Sequence, residues 1–502
     1  MTAFVRNGRS LLLVALIAAL LLAAGLNMKP AVLASVLLSG LTLGALYFLV
    51  TSGLSLVFGL MDVLNFAHGV IFMLGAYMGL TLYANPRTIL NVLPLALALC
   101  AGLSLAPVTS RALARLSFPA NARRVGAAAL GVTALALVAL GLAAFPLGKL
   151  LAQAATATGG AVPTAAAQDT AESMFGRMAL MALAGLLAGP LSAGAVRPGG
   201  SARRAARPFI VMLLLAALGI AVLLARLPLE DSILSLSSDV RFVLALIFGT
   251  LSGAAVGAGM EYGLIRPLYS RPIYQVLLTL GLVFVGDQFI QLVWGPSGYF
   301  MEIPSLFNGQ GKECPSDNLV AWFGDHCASI MVLGRGFPSY RMFIIVLGVV
   351  MLAAIGLLLT RTRIGMVIRA GVQDAEMVEA LGINVRRVFT GVFALGAALA
   401  ALGGVAAAPI IGVNPGIGQE FLLQGFISVV IGGMGSLAGA ALGALLVGLG
   451  RAFGDNLVLA GIQLPWMTEA ITASPAIARA STVLIMALVL LLKPSGIFGK
   501  KD

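Results

Sequence analysis

GFISVVIGGMGSLAGAALGALLVG, residues 425–448, contains no charged side chain and no proline. A helix rises about 1.5 Å per residue, so about 20 apolar residues cross a bilayer core, and this stretch is long enough to do so. Its middle, however, is Gly432-Gly433-Met434-Gly435-Ser436. Glycines weaken a helix and expose backbone groups, which membrane depth tolerates only where protein or water covers them. Two readings stand: a broken or re-entrant helix, or helices packed closely through small residues.

Working outward, uncharged runs of similar length lie at 10–28, 30–61, 88–110, 125–148, 178–196, 242–260, 342–360, 388–419 and 421–450. Shorter or once-interrupted ones lie at 66–84, 208–225, 273–293 and 476–493. The expected fold class is therefore all-α: a polytopic membrane protein with about 12–13 transmembrane helices, one or two of them broken. Composition agrees, since 60% of the 502 residues are hydrophobic and only 10% charged, with mean hydropathy +1.03. An ordinary soluble chain carries roughly a quarter charged residues. The net charge of +12 does not point to nucleic acid, because the basic residues stand between apolar runs rather than in one patch.

Arg6 and Arg9 precede an apolar run and Ala23-Ala24-Gly25, a pattern shared with cleaved signals. The run is long for a signal core and another span follows at once, which favours a retained first helix. With the N-terminus inside, the tail and the connections 111–124, 197–207, 262–272 and 361–387 fall on one side and hold seventeen arginines. The opposite connections, 147–176, 227–240 and 295–340, are poorer in Arg and Lys, as the positive-inside rule requires of exported loops. A single crossing at 421–450 would leave Lys493, Lys500 and Lys501 outside. A break at Gly432–Ser436 repairs the parity and places both termini in the cytoplasm.

Cys314 and Cys327 share the exported 295–340 loop, while Cys100 lies in an apolar run. A disulfide or two unpaired thiols both fit such a loop. Two thiols with the adjacent His326 do not complete a four-ligand metal site, so no metal is expected.

The most informative polar segment is 361–387, RTRIGMVIRAGVQDAEMVEALGINVRR. Arg361, Arg363 and Arg369 precede Asp374, Glu376 and Glu379, and Met377, Val378 and Leu381 make an apolar face at helical spacing. Gly382 is a plausible helix stop. By composition alone this is a solvated connecting loop; by pattern it is a short amphipathic helix offered to a partner.

Residue identity separates these readings. Arg363-Ile364-Gly365, Arg369-Ala370, Asp374, Ala380 and Leu381-Gly382-Ile383-Asn384 stand in the order found in the branched-chain amino-acid permease family of ATP-binding-cassette importers, which this chain resembles. Three further stretches carry the likeness: 53–77 with Asn65-Phe66-Ala67-His68-Gly69, 261–295 with Glu261, Arg266-Pro267-Leu268 and Trp294-Gly295, and 425–448 with the terminal KPSGIFG at 493–499. The family's basic residue after the glutamate is Tyr262 here. Glu261 and Arg266 are candidates for an interfacial ion pair, and Asp287 with Gln288 lies toward the end of a span.

The resemblance covers about 31–85 and 241–500. It implies permease spans in 1–87 and 241–502, and leaves 88–240 as an inserted segment of four extra spans, 89–108, 125–146, 178–196 and 208–225. It implies that Arg369, Asp374, Glu376, Glu379, Leu381, Gly382 and Asn384 couple the spans to an ATPase. It further implies two cytoplasmic ATPase subunits, a second permease, a periplasmic solute-binding protein and residence in the bacterial inner membrane, with no cofactor in this chain. The expected cargo is a branched-chain amino acid, or urea, a short amide or another small polar solute.

Polar groups in apolar sequence are costly and often functional, so Asn65, His68, Ser428, Gly432, Gly433 and Ser436 are the candidate pathway residues. Satisfied interhelical hydrogen bonds are the plainer role for Asn65 and His68. A faint likeness between 53–79 and 425–450 suggests repeated halves around a midplane site. No Lys-Ser/Thr follows the glycines at 432–435, which argues against a nucleotide loop. An intramembrane enzyme needs gathered catalytic groups, and two histidines with scattered acids provide none. An ion-coupled carrier would use Asp287, but has no reason to keep the 361–387 sequence.

Overall fold

The computed structural model describes residues 28–61, 65–114, 120–142, 171–192, 202–269, 271–310, 314–373, 375–460 and 475–498. Apart from Met28, the first helix expected at 10–28 lies outside the described residues, as do Asp374, Lys500 and Lys501. Almost everything described is helical. The helices are α1 (Pro30–Met61), α2 (His68–Ala84), α3 (Pro86–Ser104), α4 (Ala106–Ala114), α5 (Ala120–Leu142), α6 (Ala171–Ser192), α7 (Ala202–Leu224), α8 (Arg226–Leu234) and α9 (Ser238–Met260). After a π-helical turn, Glu261–Ile265, and a 3₁₀ turn, Arg266–Leu268, come α10 (Pro272–Trp294) and α11 (Leu319–Asp325). A hairpin of β1 (Ser329–Val332) and β2 (Arg335–Pro338) leads into α12 (Ser339–Arg361), α13 (Arg363–Gln373), α14 (Ala375–Ala380), α15 (Val385–Ile411), α16 (Ile417–Gly432), α17 (Leu437–Ala460) and α18 (Pro475–Leu492).

Among the described residues, seven helices are long and apolar enough to cross a membrane, or eight with the α7–α8 pair taken as one span bent by 64°. Five shorter apolar helices, His68–Ala84, Ala129–Leu142, Ser173–Ala188, Ile417–Gly432 and Arg479–Leu492, fall on the remaining apolar runs. This is an all-α, multi-pass membrane protein.

Two compact units make up the chain: residues up to Leu80 with Ser238–Gln291 and everything from Pro296, and Thr81–Ser237 with Leu292–Gly295. In the first, α1 packs between α17 and α15. A Cβ at Gly448 of α17 would lie 2.4 Å from the Gly44 nitrogen and 2.5 Å from the Gly40 carbonyl oxygen, so only glycine permits this approach of two backbones. Gly253 and Gly257 of α9 likewise face Ala401 and Ala397 of α15.

The run at 421–450 is two antiparallel helices, and both readings of its glycines hold. The chain breaks at Gly433 and Gly435, which have positive φ, and Gly432 and Ser428 of α16 pack on Gly439 and Gly443 of α17. With 16 residues, α16 is roughly 24 Å long, shorter than a bilayer core. Its last carbonyls are met by the terminal KPSGIF segment: the Ile497 and Phe498 amides donate to the Ile431 and Gly432 oxygens at 2.8 and 2.9 Å. Lys493 therefore ends on the same face as the 433–436 turn. That turn also meets the end of α1, at Gly59, while Val57 packs with Phe393 near the start of α15, so the face also holds the 361–387 segment.

Helix-to-helix backbone contact of this kind cannot absorb a larger side chain. Gly443→Val places a Cβ about 2.0 Å from the Ser428 carbonyl oxygen. A loss of about 1–3 kcal/mol in stability is expected, read as lowered thermal unfolding in detergent. Gly281→Ala, where nothing lies within 4 Å, is the control expected to leave unfolding unchanged.

At the other end of α15, Tyr299 and Val413 exchange backbone hydrogen bonds of 2.8 Å and tie down the 295–340 segment. Cys314 and Cys327 are joined by a disulfide within it, and Phe307, Trp322, Tyr340 and Phe343 cluster beside them. Closing a loop of this length is worth about 3 kcal/mol. Under denaturing conditions, alkylation should add one group before reduction and three after, since the chain has three cysteines and Cys100 is free.

The second unit packs α3 against α6 and α7. Gly102 and Gly185 let the α3 and α6 backbones touch, and Leu95, Ala98, Met174, Met178, Met181 and Leu223 form its core. Arg87 pairs with Glu230 at 2.7 Å, which fastens α8 to the start of α3. Together α3, α5, α6 and α7 occupy the stretches 89–108, 125–146, 178–196 and 208–225 as far as these are described.

Candidate coupling surface and membrane pathway

Between α12 and α15 the chain leaves the bundle, turns through two short helices and re-enters. Thr362 caps α13 by accepting from the Gly365 amide at 3.0 Å. Along α13 the inward positions are Gly365, Ile368 and Gly371, and Ile368 packs with Val392 against Leu56, Met61, Leu358 and Phe389. Arg369 donates to the Leu359 carbonyl at the end of α12.

After Asp374 comes α14, which carries Glu376 and Glu379 and closes with a Schellman motif. The Gly382 amide donates to Glu379 O at 2.9 Å and Ile383 N to Val378 O at 3.3 Å, with Gly382 in the left-handed region at φ 83°. Asn384 then caps α15, its side chain accepting from the Arg387 amide at 3.2 Å.

The apolar face expected from Met377, Val378 and Leu381 divides. Val378 is buried, whereas Met377 and Leu381 are exposed, Leu381 at 73%. With only six residues in α14, Leu381 already lies beyond the last helical turn, where the chain reverses. Ile364 and Met366 are also exposed, so this segment presents apolar side chains among exposed Arg361, Arg363, Arg369 and Glu379.

A second polar cluster locks the start of α15 to the end of α9. Glu261 is fully buried and accepts from Arg266 Nε and Nη2, each at 3.1 Å, and from the Tyr269 hydroxyl at 2.5 Å. Arg266 Nη2 also donates to Thr390 Oγ1 at 2.6 Å and Arg386 O at 3.3 Å. Burial first, and the bond to Glu261 second, hold the Tyr269 phenol well above its usual range, so it remains a donor. The Glu261–Arg266 pair is the ion pair the sequence offered as a candidate. Tyr269 and Thr390 were not, because the bonds to them depend on how the π-helical turn and α15 meet.

The candidate pathway residues belong to the first unit. Asn65 is buried, with Oδ1 accepting from the Ala67 amide at 3.1 Å and Nδ2 unpaired. His68, the first residue of α2, is buried against the Gly53 and Gly396 backbones without a hydrogen bond of good geometry. Ser428 donates to Gln424 O at 2.7 Å within α16. Ser436 is the N-cap of α17, accepting from the Gly439 amide at 3.1 Å, and Gly432 and Gly433 form the end of α16. Ser428 and Ser436 thus have bonds inside the α16–α17 hairpin, whereas Asn65 and His68 retain unpaired polar atoms.

Asp287 of α10 is buried as well, and its Oδ2 accepts from Gln419 Nε2 at 2.5 Å. Gln419 carried no signal in the sequence beyond being a polar residue at the start of an apolar run.

The described residues thus form an almost entirely helical, multi-pass membrane protein with breaks in its helices and a polar segment built out between α12 and α15. The family model for the branched-chain amino acid transport system / permease component matches residues 36–193 and 209–492, and the chain belongs to this family. That match includes most of 88–240, for which the motifs alone offered no counterpart. The chain is 28% identical over 251 residues to the high-affinity branched-chain amino acid transport system permease protein LivH of Escherichia coli K12, covering 50% of this chain and 71% of the relative. It is 36% identical over 163 residues to the permease protein BraD of Pseudomonas aeruginosa, covering 32% and 48%. To the fructose import permease protein FrcC of Rhizobium meliloti it is 33% identical over 141 residues, 27% and 38%. No solved structure matches.

Proposed function

We propose that this chain is the pathway-forming inner-membrane subunit of an ATP-binding-cassette importer for branched-chain amino acids. In this reading the 361–387 segment and both termini are cytoplasmic, and two ATPase subunits dock on that segment. A second permease completes the pathway, and a periplasmic binding protein delivers cargo to the face carrying the disulfide-closed segment. ATP hydrolysis belongs to the partners.

The observation that carries the reading is the built, capped coupling segment, with exposed Ile364, Met366 and Leu381 among arginines on the face shared with Lys493. Exposed apolar groups in an otherwise basic surface segment suit a protein partner. Family membership supports the cargo class, and the sparse charge of the spans suits a zwitterion with an apolar side chain. Urea and short amides remain the competing cargo.

Affinity purification of the tagged chain in mild detergent, with mass spectrometry of co-purifying proteins, tests this. Recovery of ATPase subunits and a binding protein is expected. A lone chain that transports on an ion gradient overturns the proposal in favour of a secondary carrier.

A further inference from the structure

Among the 23 residues of α10, Asp287 is the sole charged side chain, and it is 8% exposed. A charged side chain within a membrane helix is costly, so such groups pair with a cation or face a polar cavity. Among the described residues no arginine, lysine or histidine pairs with Asp287. Among the described residues, its hydrogen-bond partner is the Gln419 amide at Oδ2, and Oδ1 has none.

The surroundings are those of a meeting point rather than a lipid face. Gly286 packs on Val70, and Gly69 on Gly418, so α2, α10 and α16 converge beside Asp287. There α2 begins at His68, directly after the turn at 66–67. Gln419, unlike Asp287, is exposed on the surface of the chain.

We infer that Asp287 and Gln419 form a recognition site for the protonated amine of the transported solute. The proposal rests on the importer reading and specifies its cargo. Because the Gln419 NH₂ group donates to Oδ2, its carbonyl oxygen is left as an acceptor. Together with Oδ1 it offers two acceptors to the three N–H donors of an ammonium. A charge-assisted bond of this kind is about twice as strong as one to a neutral amide. The site therefore favours an amino acid over urea or an amide, and repels a free carboxylate.

The test uses the complete transporter, purified with its ATPases and binding protein, in proteoliposomes. With the loaded binding protein saturating, D287N is expected to slow L-leucine uptake about tenfold or more, while D287E keeps most of the wild-type rate. In detergent-solubilised protein, carbodiimide modification of Asp287, read by peptide mass spectrometry, is expected to slow with L-leucine or methylammonium and not with urea. The second readout stands where D287N does not assemble, and does not depend on transport.

An unchanged uptake rate in an assembled D287N complex would overturn the inference. So would labelling indifferent to amines, or protection by sodium chloride alone, which would mark an ion site. Wild-type uptake of uncharged solutes only would sink it and leave the importer intact. Absence of any ATP-driven uptake would instead defeat the importer reading, with the labelling readout still deciding the amine site.

Discussion

Gly382→Ala is expected to reduce ATP-driven uptake at least about tenfold while the protein still inserts and folds. Gly382 sits at φ 83°, where a side chain costs about 1–2 kcal/mol. It also supplies one of the two bonds that close α14. A helix of six residues has little stability of its own, so loss of its stop frees Val378 from its buried site and displaces the exposed Leu381. The measurement is solute-stimulated ATP hydrolysis by the assembled complex, which should lose its stimulation. Glu379→Lys, which reverses an exposed charge on α14, should act in the same direction. Gly391→Ala on α15, where nothing lies within 4 Å of the new methyl, should be silent. Full stimulation in both Gly382→Ala and Glu379→Lys would remove 361–387 from the coupling path.

Glu261→Ala carries the second large effect. Removing one partner of a buried ion pair costs about 3–5 kcal/mol, because the remaining charge is left without compensation. Arg266 keeps 23% side-chain exposure and its bond to Thr390, so the lower end, about 3 kcal/mol, is expected. Tyr269 loses its acceptor at the same time. Glu261→Gln still accepts from Tyr269 but lacks the charge for Arg266, and should fall between wild type and alanine. Thermal unfolding in detergent ranks the three. A Glu261→Ala protein within about 0.5 kcal/mol of wild type would show that the cluster does not hold α9 to α15.

Much of this architecture was legible because the bilayer imposes a length and an apolar composition on each span. The breaks were legible too, through Gly432-Gly433-Met434-Gly435, since few other residues reverse a backbone so tightly. What sequence could not specify is which partner a polar atom finds. Ser428 and Ser436 read as pathway groups because they lie in apolar sequence, yet one bonds within its own helix and the other caps the next.

Periodicity likewise assigned Met377, Val378 and Leu381 to one face, because it assumes a helix continuing past Ala380. The KPSGIF stretch at 493–498 carries no sign of its contact in its own residues. Its Ile497 and Phe498 amides satisfy the end of α16, a contact between segments more than sixty positions apart. Asp287 stood out as a charge in a span, but its pairing with Gln419 arises from the way α10 and α16 cross, which neither segment encodes alone.

In the importer reading, transport through this chain is driven by separate ATPases acting on the 361–387 face. Uptake of radiolabelled L-leucine into proteoliposomes containing the purified complex, with ATP supplied to that face or withheld, tests it most directly. Uptake that requires ATP and persists when ionophores collapse all ion gradients is the predicted result. Uptake by this chain alone, without ATPase subunits and abolished by the same ionophores, would contradict it.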